Sequence, residues 1–419
     1  MDQLTQNSQY KKWENFKITI IGVGGAGNNA VNMMIDENLP NINYIAANTD
    51  SQALEHSKCE NKLTLGKSNN GFGAGSNPEL GLELAKESIE DIKEKLSGSK
   101  IVIVTAGFGG GTGTGAAPLI AQIAKEQGAL VLGIVSTPFT YEGKARNKIA
   151  TNGIENLKQN TDAYLVLSNQ KISELNPSVP SADLYRLANV SLKNIVVAIN
   201  DILNKVGFIN IDFADFKNAL TNSGKSIINV TQGSGESKVS KALNKLFEPN
   251  YYDYPLFAPS RLLINLQYDQ NTTSAQIQEA IMGVYKKLNI DEANESEAIK
   301  IGQEIINTPH NAGFFKITVI GSGEDEQVDK NIYVQEEKVE VIEQINELED
   351  IKQDTIILED VQSIIEQEIK LQTQDTEILK VEEDAADASK ENPSIELLNY
   401  FNIPNENEVD DSKTKVWFN

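Results

Sequence analysis

The strongest chemical signal in this 419-residue sequence is a glycine-rich loop, Gly107–Gly115 (GFGGGTGTG). Six of its nine residues are glycine, and it lies between an apolar run and a helix-like segment. Backbone N–H groups without neighbouring side chains can approach a phosphate closely, and a helix N-terminus adds partial positive charge. The hydroxyls of Thr112 and Thr114 can add contacts to a phosphate or to bound Mg²⁺. We therefore predict a phosphate cradle, since a flexible linker would not separate a buried strand from a helix.

Two further glycine loops have the same strand–loop–helix setting. Gly22–Asn29 (GVGGAGNN) matches the pattern G-x-G-x-x-G, and Asp50 lies 23 residues past Gly27. Alone, this loop is typical of dinucleotide binding or of a tight strand-to-helix turn. Gly73–Pro78 (GAGSNP) precedes another helix, with Asn77 placed as its cap, so it indicates either ligand contact or an ordinary helix start.

A pair of acids forms the third chemical feature, in the segment Asn210–Asp215 (NIDFAD) that follows Gly207. The carboxylates of Asp212 and Asp215 can orient a water molecule or coordinate a cation, and phosphoryl transfer depends on such positioning more than on covalent chemistry. The alternative is that Asp212 caps a helix and Asp215 is a first-turn acid favoured by the helix dipole. The residues alone leave both interpretations open.

Strands and helices alternate along the region that must position these loops. Short apolar runs predict buried strands at 17–22, 43–47, 100–105, 129–135 and 163–167. Helical spacing predicts helices at 27–35, 78–96, 116–126 and 181–204. This alternation indicates an α/β fold with a parallel sheet covered on both faces, in which ligands bind at the carboxyl ends of the strands. A second unit of strands at 262–266, 298–303 and 314–320 with a helix at 274–288 indicates a smaller α+β domain.

Composition limits the classes of function. The net charge of −23 argues against a nucleic-acid partner or a general anionic-membrane surface. One cysteine and two histidines make a zinc site improbable, so we predict no bound metal of the protein's own. We expect no signal peptide and no membrane insertion, because the N-terminus is polar and no run approaches 18 apolar residues.

The charge is concentrated in a tail. Residues 1–323 carry 32 acids and 29 bases, whereas 324–419 carry 28 acids and 8 bases. Such a charge excess with few aromatic residues predicts a disordered linker at 324–390. Apolar residues return in Ile395–Phe401 and Val416–Phe418, so we predict a partner-binding peptide at 391–419.

Five motifs together resemble one family, the tubulin/FtsZ family, over about residues 17–323. They are NTD at Asn48–Asp50, GAGSNP at Gly73–Pro78, GGGTGTG at Gly109–Gly115, PFTYEGKAR at Pro138–Arg146 and NIDFAD at Asn210–Asp215. The resemblance implies an N-terminal extension (1–16), a Rossmann-like GTP-binding domain (17–180), a long central helix (181–206) and a C-terminal α+β domain (207–323). It also implies a protein that binds GTP or GDP with Mg²⁺ and polymerises head to tail. Such a protein would be cytoplasmic and would assemble a cytokinetic ring at midcell, tethered by other division proteins through the C-terminal peptide.

The resemblance also assigns roles to individual residues. Asp212, Asp215 and Asn210 would act on the GTP of the neighbouring subunit. The residues that would contact the nucleotide within their own subunit are Gly24, Gly25, Ala26, Gly27, Asn28, Gly73, Ala74, Gly75, Gly110, Gly111, Thr112, Gly113, Thr114, Glu142, Arg146, Tyr185 and Asn189. Glu142 and Arg146 would lie near the ribose, Tyr185 would stack near the base, and Asn189 would hydrogen-bond the guanine.

Two positions depart from the family pattern. The base contact usually has two polar residues, but here it is Asn189-Val190, and valine cannot hydrogen-bond a base edge. We therefore expect guanine selectivity to be weaker or to rest on Asn189 and backbone groups. The C-terminal peptide keeps Ile403-Pro404 but lacks the usual Phe-Leu and basic residue, so Ile395–Phe401 is the expected replacement for docking.

Three interpretations compete at this point: a polymerising GTPase, a dinucleotide-binding oxidoreductase and a filament protein that does not hydrolyse its nucleotide. The oxidoreductase would leave Gly107–Gly115 and the acids of Asn210–Asp215 unexplained. The structural filament would need neither Asp212 nor Asp215, so their presence favours hydrolysis.

Overall fold

The computed structural model describes residues 16–205, 207–256, 259–290, 299–306 and 313–323, which belong to one compact unit. The expected N-terminal extension (apart from Phe16), the acidic linker at 324–390 and the peptide at 391–419 lie outside the described residues. No helix within the described ranges is long and apolar enough to cross a membrane.

The first half of the chain builds a parallel sheet. Its strands are β1 (Lys17–Val23), β2 (Ile42–Asn48), β3 (Lys62–Thr64), β4 (Ser99–Gly107), β5 (Leu130–Thr137) and β6 (Ala163–Ser168). They lie in the order β3-β2-β1-β4-β5-β6, and each neighbouring pair is parallel. Strands β1, β4 and β5 are buried over almost their whole length, which explains their nearly continuous apolar sequences.

The second half extends this sheet with mixed pairing. Its strands are β7 (Gly224–Ser234), β8 (Arg261–Tyr268), β9 (Ile299–Ile305) and β10 (Phe314–Ser322), in the order β7-β10-β8-β9. β10 is antiparallel to β7 and β8, whereas β8 and β9 are parallel. Only two residue pairs, Ala163 with Gly224 and Tyr164 with Lys225, join β7 to β6. The two halves of the sheet therefore meet at a narrow junction.

Helices follow most strands, and one of them is much longer than the rest. The helices are α1 (Gly24–Ile35), α2 (Ser51–Glu55), α3 (Pro78–Glu87), α4 (Ile89–Leu96), α5 (Thr112–Glu126), α6 (Lys144–Asn160), α7 (Asn169–Leu175), α8 (Ser181–Asn204), α9 (Phe213–Leu220), α10 (Lys238–Lys245) and α11 (Ser274–Lys287). The 24 residues of α8 extend about 36 Å at about 1.5 Å per residue. This helix packs against α1 in the first half and against β7 in the second.

Most predicted elements are present, and the differences have local causes. Helix α8 has the predicted bounds, Ser181–Asn204. The predicted helix at 78–96 is instead two helices, because the buried Ser88 leaves helical geometry and its hydroxyl accepts a hydrogen bond from the Gly66 N–H at 2.9 Å. Helices α1 and α5 begin at Gly24 and Thr112, earlier than predicted, so loop glycines form their first turns.

Candidate active site

A cleft of about 360 Å³ lies at the carboxyl ends of β1, β4 and β5. Its volume falls within the range of about 300–1,000 Å³ that is usual for small-molecule sites. The residues that line it are Gly24, Gly25, Ala26, Asn29, Gly107, Phe108, Gly110, Gly111, Thr112, Gly113, Ser136, Pro138, Glu142, Arg146, Asn169, Tyr185, Ala188 and Asn189. The cleft therefore brings together two glycine loops, the Pro138–Arg146 segment and the first part of α8.

Two helix N-termini meet on one wall of the cleft. Helix α1 begins at Gly24 and α5 at Thr112, and the first N–H groups of each helix have no partner within the helix. A Cβ atom on Gly24 would lie 3.0 Å from the Gly113 backbone nitrogen, so the two loops are in close contact. Free N–H groups and the partial positive charges of two helix N-termini on one wall suit an anion such as a polyphosphate.

Two glycines on this wall have no packing reason to be glycine. A Cβ atom on Gly25 or Gly110 would meet nothing within 4 Å, and neither residue has a positive φ angle. By contrast, a Cβ on Gly27 would lie 2.4 Å from the Thr105 carbonyl oxygen. The space in front of Gly25 and Gly110 is left open by the fold itself, which is the space a bound phosphate would use.

The opposite part of the cleft combines an ion pair with aromatic rings. Arg146 Nη1 lies 2.8 Å from Glu142 Oε2, and Glu142 Oε1 accepts a hydrogen bond from the Phe139 N–H at 2.9 Å. The buried Phe139 ring stacks on Tyr141 and contacts Tyr185 edge-to-face, with centroids 5.0 and 4.9 Å apart. Desolvation, followed by the hydrogen bond with Tyr141, raises the pKa of the Tyr185 phenol. This half of the cleft suits a planar ring next to a polar sugar.

Three amide side chains line the cleft, those of Asn29, Asn169 and Asn189, and sequence analysis identified only Asn189 among them. Asn169 begins α7 directly after β6 and is buried, yet its Oδ1 atom has no hydrogen-bond partner. A buried acceptor without a partner is costly unless a ligand satisfies it. Its position at the carboxyl end of a parallel strand was the signal that could have identified it. Val190 points away from solvent and is fully packed beside these residues.

Several predicted contact residues support the cleft from behind. Asn28 is 3% exposed, and the amide orientation that its surroundings require lets its nitrogen donate to the carbonyl oxygens of Gly22 at 2.9 Å and Gly24 at 3.2 Å. The buried Thr114 hydroxyl accepts a hydrogen bond from the Gly109 N–H at 2.9 Å. The remaining predicted residues that do not line the cleft are Gly27, Gly73, Ala74 and Gly75.

The third glycine loop packs against the second. A Cβ atom on Gly111 would lie 2.8 Å from the Ala74 Cβ, so there is no room for a side chain between the loops. Asn77 caps α3 by accepting hydrogen bonds from Glu79 and Leu80, and Pro78 occupies the first turn. The ordinary helix start that the sequence allowed is thus present. Through this packing, the Gly73–Pro78 loop holds the Gly107–Gly115 loop in place beside the cleft.

The acids of the NIDFAD segment lie at the other end of α8. Asp212 caps α9, where its Oδ1 accepts from the Asp215 N–H at 2.7 Å, and Asp215 Oδ2 accepts from the Asp212 N–H at 3.4 Å. From Asn189 to Asn204 the helix alone advances about 23 Å at about 1.5 Å per residue. The side chains of Asn210 and Asp212 are exposed, and neither acid lines the cleft. Within one copy of the chain, the cleft and the two acids are therefore far apart.

Comparison with known proteins assigns the family. Residues 17–177 match the model of the tubulin/FtsZ family GTPase domain. The cell division protein FtsZ of Mycoplasmopsis pulmonis (strain UAB CTIP) is 42% identical over 272 residues, which cover 64% of this chain and 70% of that protein. This chain belongs to the tubulin/FtsZ family. It is a GTPase of the FtsZ cell-division type, as the sequence motifs implied.

Three further proteins are similar to this chain, one in sequence, one in sequence and fold, and one in fold alone. FtsZ of Rickettsia bellii (strain RML369-C) is 39% identical over 311 residues, covering 74% of this chain and 66% of that protein. A structure of an empty FtsZ dimer from M. jannaschii has a TM-score of 0.67 and 33% identity, covering 77% of this chain and 91% of that one. CetZ2 from Haloferax volcanii, solved as a GTPγS-bound protofilament, shares the fold with a TM-score of 0.63 at 18% identity, covering 78% and 100%.

Membership of the tubulin/FtsZ family disfavours the oxidoreductase interpretation, and one contact explains the misleading pattern. Asp50, the acid expected of a dinucleotide site, caps α2 by accepting a hydrogen bond from the Ala53 N–H at 3.0 Å. It does not line the cleft. The Gly22–Gly27 loop therefore lines the cleft, whereas the acid that a dinucleotide site would use does not.

Proposed function

We propose that this GTPase polymerises head to tail and hydrolyses GTP only at the contact between two subunits. The nucleotide-binding cleft of one subunit would be completed by Asp212 and Asp215 of the next, with Asn210 beside them. These acids would orient the attacking water, which is the main requirement for phosphoryl transfer. GTP hydrolysis would thereby be coupled to assembly.

The observation that carries this proposal is that the cleft and the acids Asp212 and Asp215 lie at opposite ends of α8. The only carboxylate among the residues that line the cleft is Glu142, and it is ion-paired with Arg146. The two acids best arranged to act together, Asp212 and Asp215, lie beyond the far end of α8. Since α8 is a rigid element packed on both halves of the sheet, a second subunit is the simplest source of the missing acids.

Exposed apolar residues mark both faces of the proposed contact. Phe72, in the loop before α3, is 85% exposed, and Phe208, in the acid-bearing segment, is 77% exposed. Aromatic residues, phenylalanine among them, are enriched in protein–protein interfaces relative to the rest of the surface. A contact between two different faces of identical subunits leaves one free face at each end, so it generates an open filament when the rotation between subunits does not close into a ring.

Within each subunit we propose a division of roles in the cleft. The N-termini of α1 and α5 would hold the phosphates, and Glu142 and Arg146 would contact the ribose and neighbouring groups. Asn189 and Asn169 would accept hydrogen bonds from the guanine N–H groups, next to Tyr185. Val190 contributes packing only, so selectivity for guanine would rest on these two amides.

Mg²⁺ would be held chiefly by phosphate oxygens and water. This ion usually keeps several waters and needs only one or two protein ligands besides the phosphates. Among the described residues no three or more His, Cys, Asp or Glu side chains come together as a metal site. The ion would neutralise phosphate charge. Thr112 lies on the cleft wall formed by the N-termini of α1 and α5, and its hydroxyl is 2.6 Å from the Thr49 hydroxyl.

The first test is the dependence of hydrolysis on protein concentration. Turnover per subunit should rise steeply once filaments form, and light scattering should rise with GTP but not with GDP or NADH. Asp212→Ala should bind GTP and hydrolyse it at least about 100-fold more slowly, since a water-orienting group is lost. Turnover that is the same in dilute and concentrated protein would refute the shared site.

Mixing two variants tests the shared site directly. Thr112→Ala should impair the cleft, and Asp212→Ala should impair the acid face, so each alone should hydrolyse poorly. In a mixture, an intact cleft can meet an intact acid face, and part of the activity should return. Assembly without phosphate release from the unmodified protein would instead favour a structural filament that does not hydrolyse its nucleotide.

At the level of the cell we propose that these filaments form a cytokinetic ring in the cytoplasm at midcell. The resemblance supports a nucleotide domain at 17–180, the central helix at 181–206 and a second domain at 207–323. The segments 324–390 and 391–419 would act as acidic spacer and as the peptide that binds membrane-tethering division proteins. We propose no nucleic-acid partner and no direct insertion into the membrane.

A further inference from the structure

Strand β9 runs beside the acid-bearing segment and supports it at successive points. The Ile209 N–H donates to the Gln303 carbonyl at 3.0 Å, and the Gln303 N–H donates to the Ile209 carbonyl at 2.8 Å. Farther along, a Cβ atom on Gly302 would lie 3.2 Å from the Ile211 side chain. Because β9 is paired with β8 over its whole length, it is a rigid support for the segment.

The last of these contacts is an ion pair with a proposed catalytic acid. Lys300 Nζ lies 3.5 Å from Asp215 Oδ1, and the two side chains are 49% and 27% exposed. The other oxygen of Asp215 accepts from the Asp212 N–H, and the Asp215 N–H donates to Asp212 Oδ1. The charge of Lys300 therefore acts on Asp215 directly and on Asp212 through the capping box.

A second cation near Asp215, Arg261, hydrogen-bonds backbone carbonyls instead of pairing with the acid. Arg261 lines the same surface cavity as Lys300 and Asp215. Its Nη1 atom donates to the carbonyl oxygens of Asn218 at 3.1 Å and Thr221 at 2.9 Å, at the C-terminal end of α9. Arg261 thus stabilises the end of the helix, whereas Lys300 pairs with an acid at its start.

We propose that Lys300 is a positioning residue for hydrolysis of the neighbouring subunit's GTP. This inference rests on the proposed function. Two adjacent carboxylates that approach a polyphosphate are repelled by it and by each other, and a nearby ammonium group reduces that repulsion. Lys300 also keeps Asp215 in the orientation that closes the capping box. It touches no reacting atom and acts through Asp215.

Three substitutions at this position test the proposal. Lys300→Met keeps the length of the side chain but removes its charge, and turnover in filaments at saturating GTP should fall about 2- to 5-fold, the effect of losing a half-exposed ion pair. Lys300→Arg should stay within about 1.5-fold of the unmodified protein. Lys300→Glu should lower turnover more than Lys300→Met, because it adds a third carboxylate.

Other measurements separate positioning from a merely structural role. GTP affinity, the melting temperature and assembly with a slowly hydrolysed GTP analogue should be the same for Lys300→Met and the unmodified protein. The difference in turnover should shrink with added salt, since the ion pair is exposed to solvent. In an Asp215→Asn background, Lys300→Met should cause no further loss, because its only route to the reaction is gone.

Lys58→Met is the matched control. Lys58 forms an ion pair with Asp36 at 2.7 Å, just past the end of α1, in which both side chains are 57% exposed, and its loss should leave turnover unchanged. The proposal is overturned if Lys300→Met hydrolyses GTP at the unmodified rate, or if Lys300→Arg is as slow as Lys300→Met. If Asp212→Ala and Asp215→Asn are fully active, the proposed function fails as well. If they are inactive while Lys300→Met is fully active, only the role of Lys300 fails.

Discussion

Replacing Gly25 with alanine should separate nucleotide binding from stability. Gly25 lies in the first turn of α1 on the wall of the cleft, and an added methyl group would meet no protein atom within 4 Å. The methyl group would occupy the space that we assign to a phosphate. Gly25→Ala should therefore weaken binding of GTP and GDP while leaving the fold intact.

The substitution should make the fold more stable and nucleotide binding weaker. Alanine at a position whose geometry suits it stabilises a protein by about 0.4–1 kcal/mol, mainly because the unfolded chain has less freedom. In a protein of this size that is a rise in melting temperature of about 1–4 °C without nucleotide. Loss of one hydrogen bond from a backbone N–H to a charged phosphate costs about 1.5–3 kcal/mol, so the dissociation constant should rise about 10- to 150-fold.

Gly27 provides a control two residues farther along the same helix. A Cβ atom there would lie 2.4 Å from the Thr105 carbonyl oxygen, so Gly27→Ala must displace the backbone. Overpacking of this kind costs about 1–3 kcal/mol, which is a fall in melting temperature of about 2–12 °C. Gly27→Ala should lose stability, whereas Gly25→Ala should lose only binding.

The assay combines thermal melting without nucleotide with titration of a fluorescent GTP analogue. In a second melting experiment, excess GDP should raise the melting temperature of the unmodified protein more than that of Gly25→Ala at the same concentration. The reasoning would be refuted if Gly25→Ala bound nucleotide as tightly as the unmodified protein. It would also fail if Gly25→Ala melted at a markedly lower temperature than the unmodified protein, because the site would then not be open space.

Two further predictions concern base selectivity and the tail. Asn169→Ala should weaken GTP binding about tenfold and leave ATP binding unchanged, because guanine would lose an acceptor for its N–H group. Equal losses for both nucleotides, measured by competition titration, would contradict this role. Deleting 324–419 should leave GTP affinity unchanged and abolish localisation to the division site, and a normal ring formed by the truncated protein in cells would exclude the proposed tether.

Local sequence signals predicted those parts of the fold that local physics controls. The apolar runs of β1, β4 and β5 predict buried strands because both faces of a covered parallel sheet are apolar. Helix α8 was predicted with the bounds it has, since its apolar spacing is long and regular. Asn77 and Pro78 predicted the start of α3, because capping depends only on the residues within one turn.

Elements whose sequence pattern is weak were not predicted. Strand β7 mixes buried, half-exposed and exposed residues without a regular period and carries polar side chains such as Asn229 and Gln232, so its sequence has no clear apolar run. Helix α6 has few buried residues, and its polar sequence resembles a loop. In both cases the neighbouring elements decide the structure, because packing overrides a weak local preference.

By itself, the sequence identified the residues that could do chemistry, which are two glycine loops at strand ends and an acid pair at a helix start. It also identified the family whose members contain both. Only the tertiary structure showed that Asn169 has an unpaired acceptor on the cleft, that Gly25 faces open space and Gly27 does not, and that Lys300 reaches Asp215. The physical reason is distance along the chain. Lys300 and Asp215 are far apart in sequence, so their meeting depends on how β9 pairs in the sheet and not on any local pattern.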